Sequence, residues 1–186
     1  MMLPIVSLNE VLRQRKQFFI IDDDCEYKLC RVQTNQKGIV LRSIMKGIDI
    51  KTKKQQICKE NDLLVAEIDA KVGGYGIVPA ELDGSIVSNH YYLFELDEEK
   101  ISIEYMKIIL TTKIIQQQIK SVGSTNYAAI RAVDFLNYTI PLPELEEQVA
   151  YANKYVIIRN QIQHLKEATS EIENNLTNFI LSWLKQ

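Results

Sequence analysis

Residues 144–186 read ELEEQVAYANKYVIIRNQIQHLKEATSEIENNLTNFILSWLKQ, forty-three residues without a glycine or a proline. Apolar side chains recur at Leu145, Val149, Ala152, Val156, Ile162, Leu165, Ile172, Leu176, Phe179 and Trp183, most of them three or four apart, with Arg159 and Thr169 filling two seam positions. That spacing predicts a single helix of roughly 65 Å at ~1.5 Å per residue. A stripe of this length is too long to be buried against the 143 residues that precede it. It asks for a second helix, so a coiled coil is expected. The step Val156–Arg159–Ile162 runs three-three, a phase slip that makes the seam non-uniform. Two shorter helices folded back on each other are the alternative, although no Gly, Pro or Asn-Gly turn marks a break.

Residues 1–143 carry a different pattern, that of a mixed α/β domain with a small twisted sheet. Ser7 followed by Glu10 reads as a capping box opening a short helix over Leu8–Arg15. Strand-like runs follow at Phe18–Ile21, Leu29–Gln33, Ile39–Arg42, Leu63–Ile68, Gly76–Val78, Ile86–Val87 and Tyr91–Glu95, separated by Gly, Asn and Asp. Ile103–Ile119 has helical periodicity, Gly123–Asn126 is a loop, and Asp134–Leu136 starts a short turn or helix. Ile140-Pro141-Leu142-Pro143 closes the domain as an extended segment stiffened by proline. The fold class is therefore α+β: residues 1–143 form one domain and residues 144–186 a long helix.

Composition narrows the function classes. The 186 residues are 46% hydrophobic and 25% charged, with seven glycines and four prolines, which excludes collagen-like and disordered chains. No apolar run approaches the ~18 residues of a membrane span, and the start of the chain has no uninterrupted signal-peptide core, so a cytoplasmic protein is expected. Cys25, Cys30 and Cys58 are odd in number and fit no zinc spacing, which suits free thiols in a reducing compartment. Net charge is −2, yet nine basic residues and one acid lie between Lys28 and Lys59, a local excess of +8. Phosphate binding follows such a local face rather than the total. A solvated lysine-rich loop system is the other reading of the same run.

No catalytic constellation emerges. His90 and His164 lie in different modules, and no His/Cys/carboxylate cluster has metal-ligand spacing. Gly73-Gly74-Tyr75-Gly76 lacks the GxxxxGK[ST] pattern and reads as a tight turn between strands. Ser85, Ser88 and His90 have no carboxylate or nucleophile elbow around them. The Asn/Asp-Pro-Pro-aromatic tetrapeptide of adenine and N4-cytosine methyltransferases is absent from the sequence. The expectation is a non-catalytic chain without a metal site.

Residues 61–106, NDLLVAEIDAKVGGYGIVPAELDGSIVSNHYYLFELDEEKISIEYM, carry the landmarks IDA-x-x-G-x-x-GIVP and ELDG-x-IVSN, then an aromatic-rich strand and an I-x-x-EY helix start. Downstream stand GSTN (123–126) and FLNYTIPLPELEEQ (135–148); upstream stand VSLNEVL (6–12) and GIVLRSIMKGIDIKTKKQ (38–55). In this combination and order they resemble the target-recognition domain of type I restriction–modification specificity subunits, over nearly the whole chain. The resemblance implies a domain that reads a short DNA half-site, carried on a spacer helix. Intact family members hold two such domains and two helical regions, whereas this sequence holds one of each. A start at Met1 just before the first landmark favours a natural half-subunit over a fragment. Two copies would pair their helices antiparallel about a two-fold axis, through the ten apolar seam residues, with Phe179 and Trp183 as anchors. Their target would be an inverted repeat with a fixed gap.

On this reading the candidates for DNA contact are Lys28, Arg31, Arg42, Lys46, Lys51, Lys53, Lys54, Lys71, Tyr75, Ser124, Asn126, Tyr127 and Arg131. Most of the lysines would hold phosphate, with Arg, Asn and Tyr nearer the bases. Basic residues often follow the GSTN-like loop in this subgroup, but here Tyr127-Ala128-Ala129 precede Arg131. Asn89 and Asp69 fall in landmarks but read as turn caps. The helix, with six acids against four bases, suits protein partners. The resemblance implies docking of a modification (methyltransferase) subunit, which would bring S-adenosylmethionine, and through it a restriction subunit. Two rivals stand beside this reading. One is a coiled-coil scaffold whose α/β domain binds protein; the other is a piece of a single-chain endonuclease–methyltransferase.

Overall fold

Alternation in β4 (Glu26–Gln33) and β5 (Gly38–Lys46) builds the longest hairpin, with Cys30 and Val32 turned inward and Arg31 outward. Asn35 and Gln36, at φ 58° and 55°, take the left-handed conformation inside the four-residue loop, Thr34 to Lys37, that closes it. The register slips by one residue at Leu29/Cys30, so Arg42 is the extra residue of a bulge. This computed structural model describes residues 3–119 and 129–184.

Around the hairpin lies a five-stranded sheet ordered β3-β6-β9-β4-β5, where β3 is Phe18–Ile20, β6 Lys54–Ile57 and β9 Ile86–Val87. Its pairings are antiparallel except β4 with β9, which run parallel at Leu29–Ile86. A second, antiparallel sheet has the order β2-β10-β7-β8, from Leu12–Arg15, Tyr91–Leu96, Leu63–Ala66 and Tyr75–Ile77. Its central strands are apolar on both faces because each face meets a core. Leu63, Val65 and Phe94 point into a core shared with α1 (Ile103–Thr111), α2 (Ile114–Gln118) and α3 (Ala132–Leu136). Leu64, Ala66 and Leu93 point the other way, onto Cys30, Val32, Cys58 and Val78. All three cysteines are free thiols, and the Cys30 and Cys58 sulfurs lie 3.6 Å apart in that second core. A two-stranded pair of β1 (Ile5–Ser7) and β11 (Thr139–Pro141) ties the start of the chain to the segment that enters the long helix.

That helix, α4 (Leu145–Trp183), is one unbroken element of 39 residues. Gln148 anchors it and is fully buried. Its amide accepts from the Ser102 N–H (2.8 Å) and donates to the Lys100 and Pro143 carbonyls (2.8 and 2.9 Å). The Tyr155 hydroxyl meets Thr111 Oγ1 at 3.2 Å, which lays the first three turns along α1. Ala152 is only 6% exposed for the same reason. It is covered by its own domain and leaves the predicted seam, whereas the other nine seam residues stand exposed.

Four local expectations change. The capping box at Ser7 forms, its N–H donating to Glu10 Oε1 at 3.0 Å, but it opens only one 3-10 turn, Leu8–Glu10. The remainder of the predicted helix, Leu12–Arg15, is strand, because it pairs with Leu93–Leu96. Ile103–Ile119 breaks at Thr112, which turns extended; its hydroxyl donates to the Ile109 carbonyl at 2.6 Å and accepts from the Ile114 N–H at 3.3 Å. Two sheets of five and four strands replace a small one. β6 escaped the sequence pattern because its two buried residues are glutamines. Gln55 donates to the Thr52 carbonyl (2.6 Å), and Gln56 to those of Ser88 (3.1 Å) and Tyr91 (2.9 Å).

Gly47 marks a close backbone crossing. Its N–H donates to the Cys25 carbonyl at 2.8 Å, and a Cβ placed on it would fall 1.8 Å from the Asp22 carbonyl oxygen. Gly47→Ala is expected to cost about 2–3 kcal/mol, as overpacking of fixed backbone does. Urea unfolding reads this as a lower midpoint at an unchanged slope.

Candidate nucleic-acid interface

Two adjoining clefts open beside the five-stranded sheet. The first, of about 450 Å³, is lined by Arg42, Lys51, Thr52, Gln55, Ser88 and Tyr91 over an apolar floor that includes Leu29, Met45 and Ile86; Asp49 is the one acid among the described residues that line it. The second, of about 400 Å³, is lined by Gln14, Lys16, Phe18, Gln56, Asn89, Tyr91, Tyr92 and Arg131. They share Tyr91 and meet across the neighbouring pairs Gln55-Gln56 and Ser88-Asn89. Lys54 reaches the rim of the second, its ammonium 4.8 Å from the centre of the Phe18 ring. A cation over an aromatic ring holds both side chains in place while the charge stays at the surface. Burial pushes the Tyr91 hydroxyl up from its ordinary pKa, which keeps it a neutral donor and acceptor at the junction. Cations at the rim with amides and hydroxyls within match what a duplex presents, phosphates outside and base edges inside.

The sequence candidates divide sharply. Arg42, Lys51 and Arg131 line the clefts, and Lys54 flanks one. Lys28, Arg31 and Lys46 are exposed on β4 and β5 but line neither cleft. Lys53 is engaged in closing its own loop, with Asp23 Oδ1 at 2.5 Å and the Gly47 carbonyl at 2.7 Å. Lys71 lies half-buried on the Asp69–Val72 turn, away from the clefts. Tyr75 must be withdrawn as a surface contact, since it is 1% exposed and its ring lies 6.4 Å from that of Phe135 in the core. The tight packing of Gly73, Gly74 and Gly76 against other backbone carries it inward. Ser124, Asn126 and Tyr127 fall outside the described residues. Arg131 also has an intrachain partner. Its guanidinium grips Asp134 in a two-pronged pair at 2.7 and 2.8 Å, which holds that carboxyl below the usual carboxylate range.

Sequence reasoning missed Gln14, Lys16 and Tyr91 and set Asn89 aside. A signal existed for two of them: Lys16 ends the basic run Arg13-Gln14-Arg15-Lys16, and Asn89 closes the IVSN landmark. Among the described residues, no group of three or more His, Cys, Asp or Glu side chains comes together to hold a metal ion, and no helix is long and apolar enough to cross a membrane.

A family model for the type I restriction modification DNA specificity domain matches residues 5–178. The chain belongs to that family. Residues 5–178 are therefore a DNA specificity domain of the type I restriction modification kind. The specificity domain is 28% identical over 123 residues to the type I restriction enzyme MjaVIII specificity subunit of Methanocaldococcus jannaschii, covering 64% of this chain and 29% of that one. Its fold is that of the HsdS subunit from Thermoanaerobacter tengcongensis, with a TM-score of 0.74 at 21% identity over 90% of this chain and 45% of the other. The type I restriction–modification S subunit of M. genitalium is a more distant match, with a TM-score of 0.56 at 15% identity over 88% and 41% of the two chains. The specificity domain thus spans less than half the length of each of these relatives.

Proposed function

We propose that this chain is one recognition half of a type I restriction–modification specificity subunit, which reads one half-site of a two-part DNA target. The observation that carries the proposal is the pair of joined clefts, cationic at the rim and lined with amides and hydroxyls, in a chain of the specificity-domain family. Arg42, Lys51 and Lys16 hold phosphate, and Gln14, Asn89 and Tyr91 face base edges. Residues 1–143 are the recognition domain and residues 144–186 the spacer. The spacer pairs antiparallel with that of a second copy, so that two recognition domains face an inverted repeat whose gap is set by helix length. The same helix and the adjoining domain surface position a methyltransferase subunit, which brings S-adenosylmethionine, and through it a restriction subunit. This chain holds no cofactor of its own and works in the cytoplasm.

The helix supports the pairing on energetic grounds. Every residue from Val156 to Leu184 is exposed. The sequence is poor in intrinsic helix propensity there, with Val156-Ile157-Ile158 in a row and asparagines at 160, 174, 175 and 178. An isolated segment of this kind is marginal in water and needs a partner to stay helical.

The test is DNA binding across a salt series. A target selected from random duplexes is expected to be bound with log affinity falling linearly against log salt, by about 0.9 per phosphate contact. Arg42→Ala with Lys51→Ala is expected to weaken binding about tenfold at roughly 100 mM salt and to flatten the slope by roughly 2. Salt-independent binding, or no DNA binding with protein capture instead, would overturn the proposal in favour of a coiled-coil scaffold.

A further inference from the structure

The docking of α4 on its own domain reveals a seam more regular than the sequence stripe. Gln148 and Tyr155 face α1, and continuing from Tyr155 in alternating steps of three and four leads through Ile158 to Trp183 without a slip; only Thr169 on the way is polar. The apparent slip at Val156–Arg159–Ile162 arises from joining two different faces of the helix. Gln148, Ala152 and Tyr155 are taken up by the domain, which leaves Ile158–Trp183, 26 residues or about 39 Å, as the free seam. Beside it lies a shallow groove lined by Ile162, Leu165, Thr169 and Ser170, with Lys166 at one end and Glu173 at the other.

We infer that α4 pairs with α4 of a second copy in one register, in which Ile158 faces Trp183 of the partner subunit and Lys166 faces Glu173 of the partner subunit. The inference rests on the antiparallel pairing proposed above and adds its alignment. Antiparallel helices pack their seam residues in facing layers, and the flanking positions just after the second seam residue of each heptad meet their own kind across the interface. Here those flanking positions are Arg159, Lys166, Glu173 and Ile180. In the inferred alignment Ile162 packs on the partner's Phe179, Leu165 on the partner's Leu176, and two symmetric Lys166–Glu173 pairs bracket the two-fold axis. A slide of one heptad inward sets Lys166 against the partner's Lys166. It also drives the partner's last turn onto the face that Gln148 and Ala152 give to the domain. A slide of one heptad outward sets Glu173 against the partner's Glu173 and strands Ile158 and Ile162 in water. Charge and packing therefore select the same alignment.

Lys166 and Glu173 are seven residues apart, too far along one helix to pair within the chain, so a charge swap reads only the interface. Sedimentation equilibrium of the full chain at low salt is the measurement. Lys166→Glu and Glu173→Lys are each expected to weaken the dimer about tenfold, and the double reversal to return it to within about twofold of the parent. A parent chain that is monomeric at micromolar concentration overturns the pairing and the alignment together. A dimeric parent whose double reversal is no tighter than the singles overturns the alignment alone. In the inward register Glu173 faces the partner's Arg159, so Glu173→Lys would set two cations together there and no rescue would follow.

Discussion

Leu176→Asp is expected to turn the chain into a monomer that keeps its recognition domain folded. Leu176 is 57% exposed on the single chain, in the stretch of α4 where every residue is exposed, so the substitution removes no buried contact there. In the proposed dimer two copies of Leu176 are buried. Each buried leucine contributes about 2–3 kcal/mol by burial of apolar surface, so losing two costs about 4–6 kcal/mol, a thousandfold or more in dimer affinity. Three observations should move together. Light scattering should fall from about two chain masses to one. Helical signal in circular dichroism should decline, because the distal part of α4 then lacks the partner that keeps it ordered. Binding to a duplex with two half-sites should drop to that of a single half-site, because linked sites lose their effective-concentration advantage. A Leu176→Asp chain that remains dimeric would mean that the seam is not the interface.

The parts of the fold that were legible in the sequence are those where one rule acts alone. The long helix shows because apolar residues recur at steps of three and four with no glycine or proline to break them. β7 and β10 show because their apolar runs are buried on both faces. Legibility fails where a local signal meets a long-range one. Residues 8–15 carry a genuine helix-start signal, yet pairing with β10, some eighty residues away, makes the second half of them strand. The KQQI strand hides because its buried glutamines are satisfied by carbonyls at Thr52, Ser88 and Tyr91, which no local pattern announces.

The candidate site shows the same division. The basic run from Lys28 to Lys59 is continuous in the sequence, but strand alternation and the Leu29/Cys30 bulge distribute it over several surfaces. Arg42, as the residue inserted by the bulge, reaches a cleft that Lys28 and Lys46 do not. Lys16, Asn89 and Arg131 come together from three distant segments, and only the folded sheets put them on one rim. Tyr75 failed for the opposite reason. Gly73-Gly74-Tyr75-Gly76 reads as a tight turn between strands, and its glycines allow other residues to approach so closely that the ring lies buried in the core.

Asp62→Ala is expected to cost about 3–5 kcal/mol of folding stability, the range for removing one partner of a buried ion pair. Arg15 on β2 and Asp62 just before β7 are both buried, and the Arg15 guanidinium donates to Asp62 Oδ2. The Lys59 N–H also donates to that oxygen, at 2.7 Å. Burial pushes the Asp62 carboxyl up, against the pull of that N–H and of Arg15. Ionisation there depends on those two donors, since water is excluded. Without the carboxylate, Arg15 keeps as an ionic partner among the described residues only Glu95, 3.9 Å from its Nε and half exposed, so a cation is left desolvated at the end of β2. Removing both charges should be far milder. Arg15→Met with Asp62→Leu is expected to recover most of the loss, because two apolar side chains of similar bulk leave no unpaired ion. Urea unfolding of the three variants decides the matter: an Asp62→Ala cost below about 1 kcal/mol would mean that water reaches the pair. The pair also bears on recognition. Gln14 and Lys16 flank Arg15 on the strand end that forms one wall of the second cleft. The charge-free double variant should therefore bind DNA like the parent, whereas Asp62→Ala should bind more weakly even at temperatures where it stays folded.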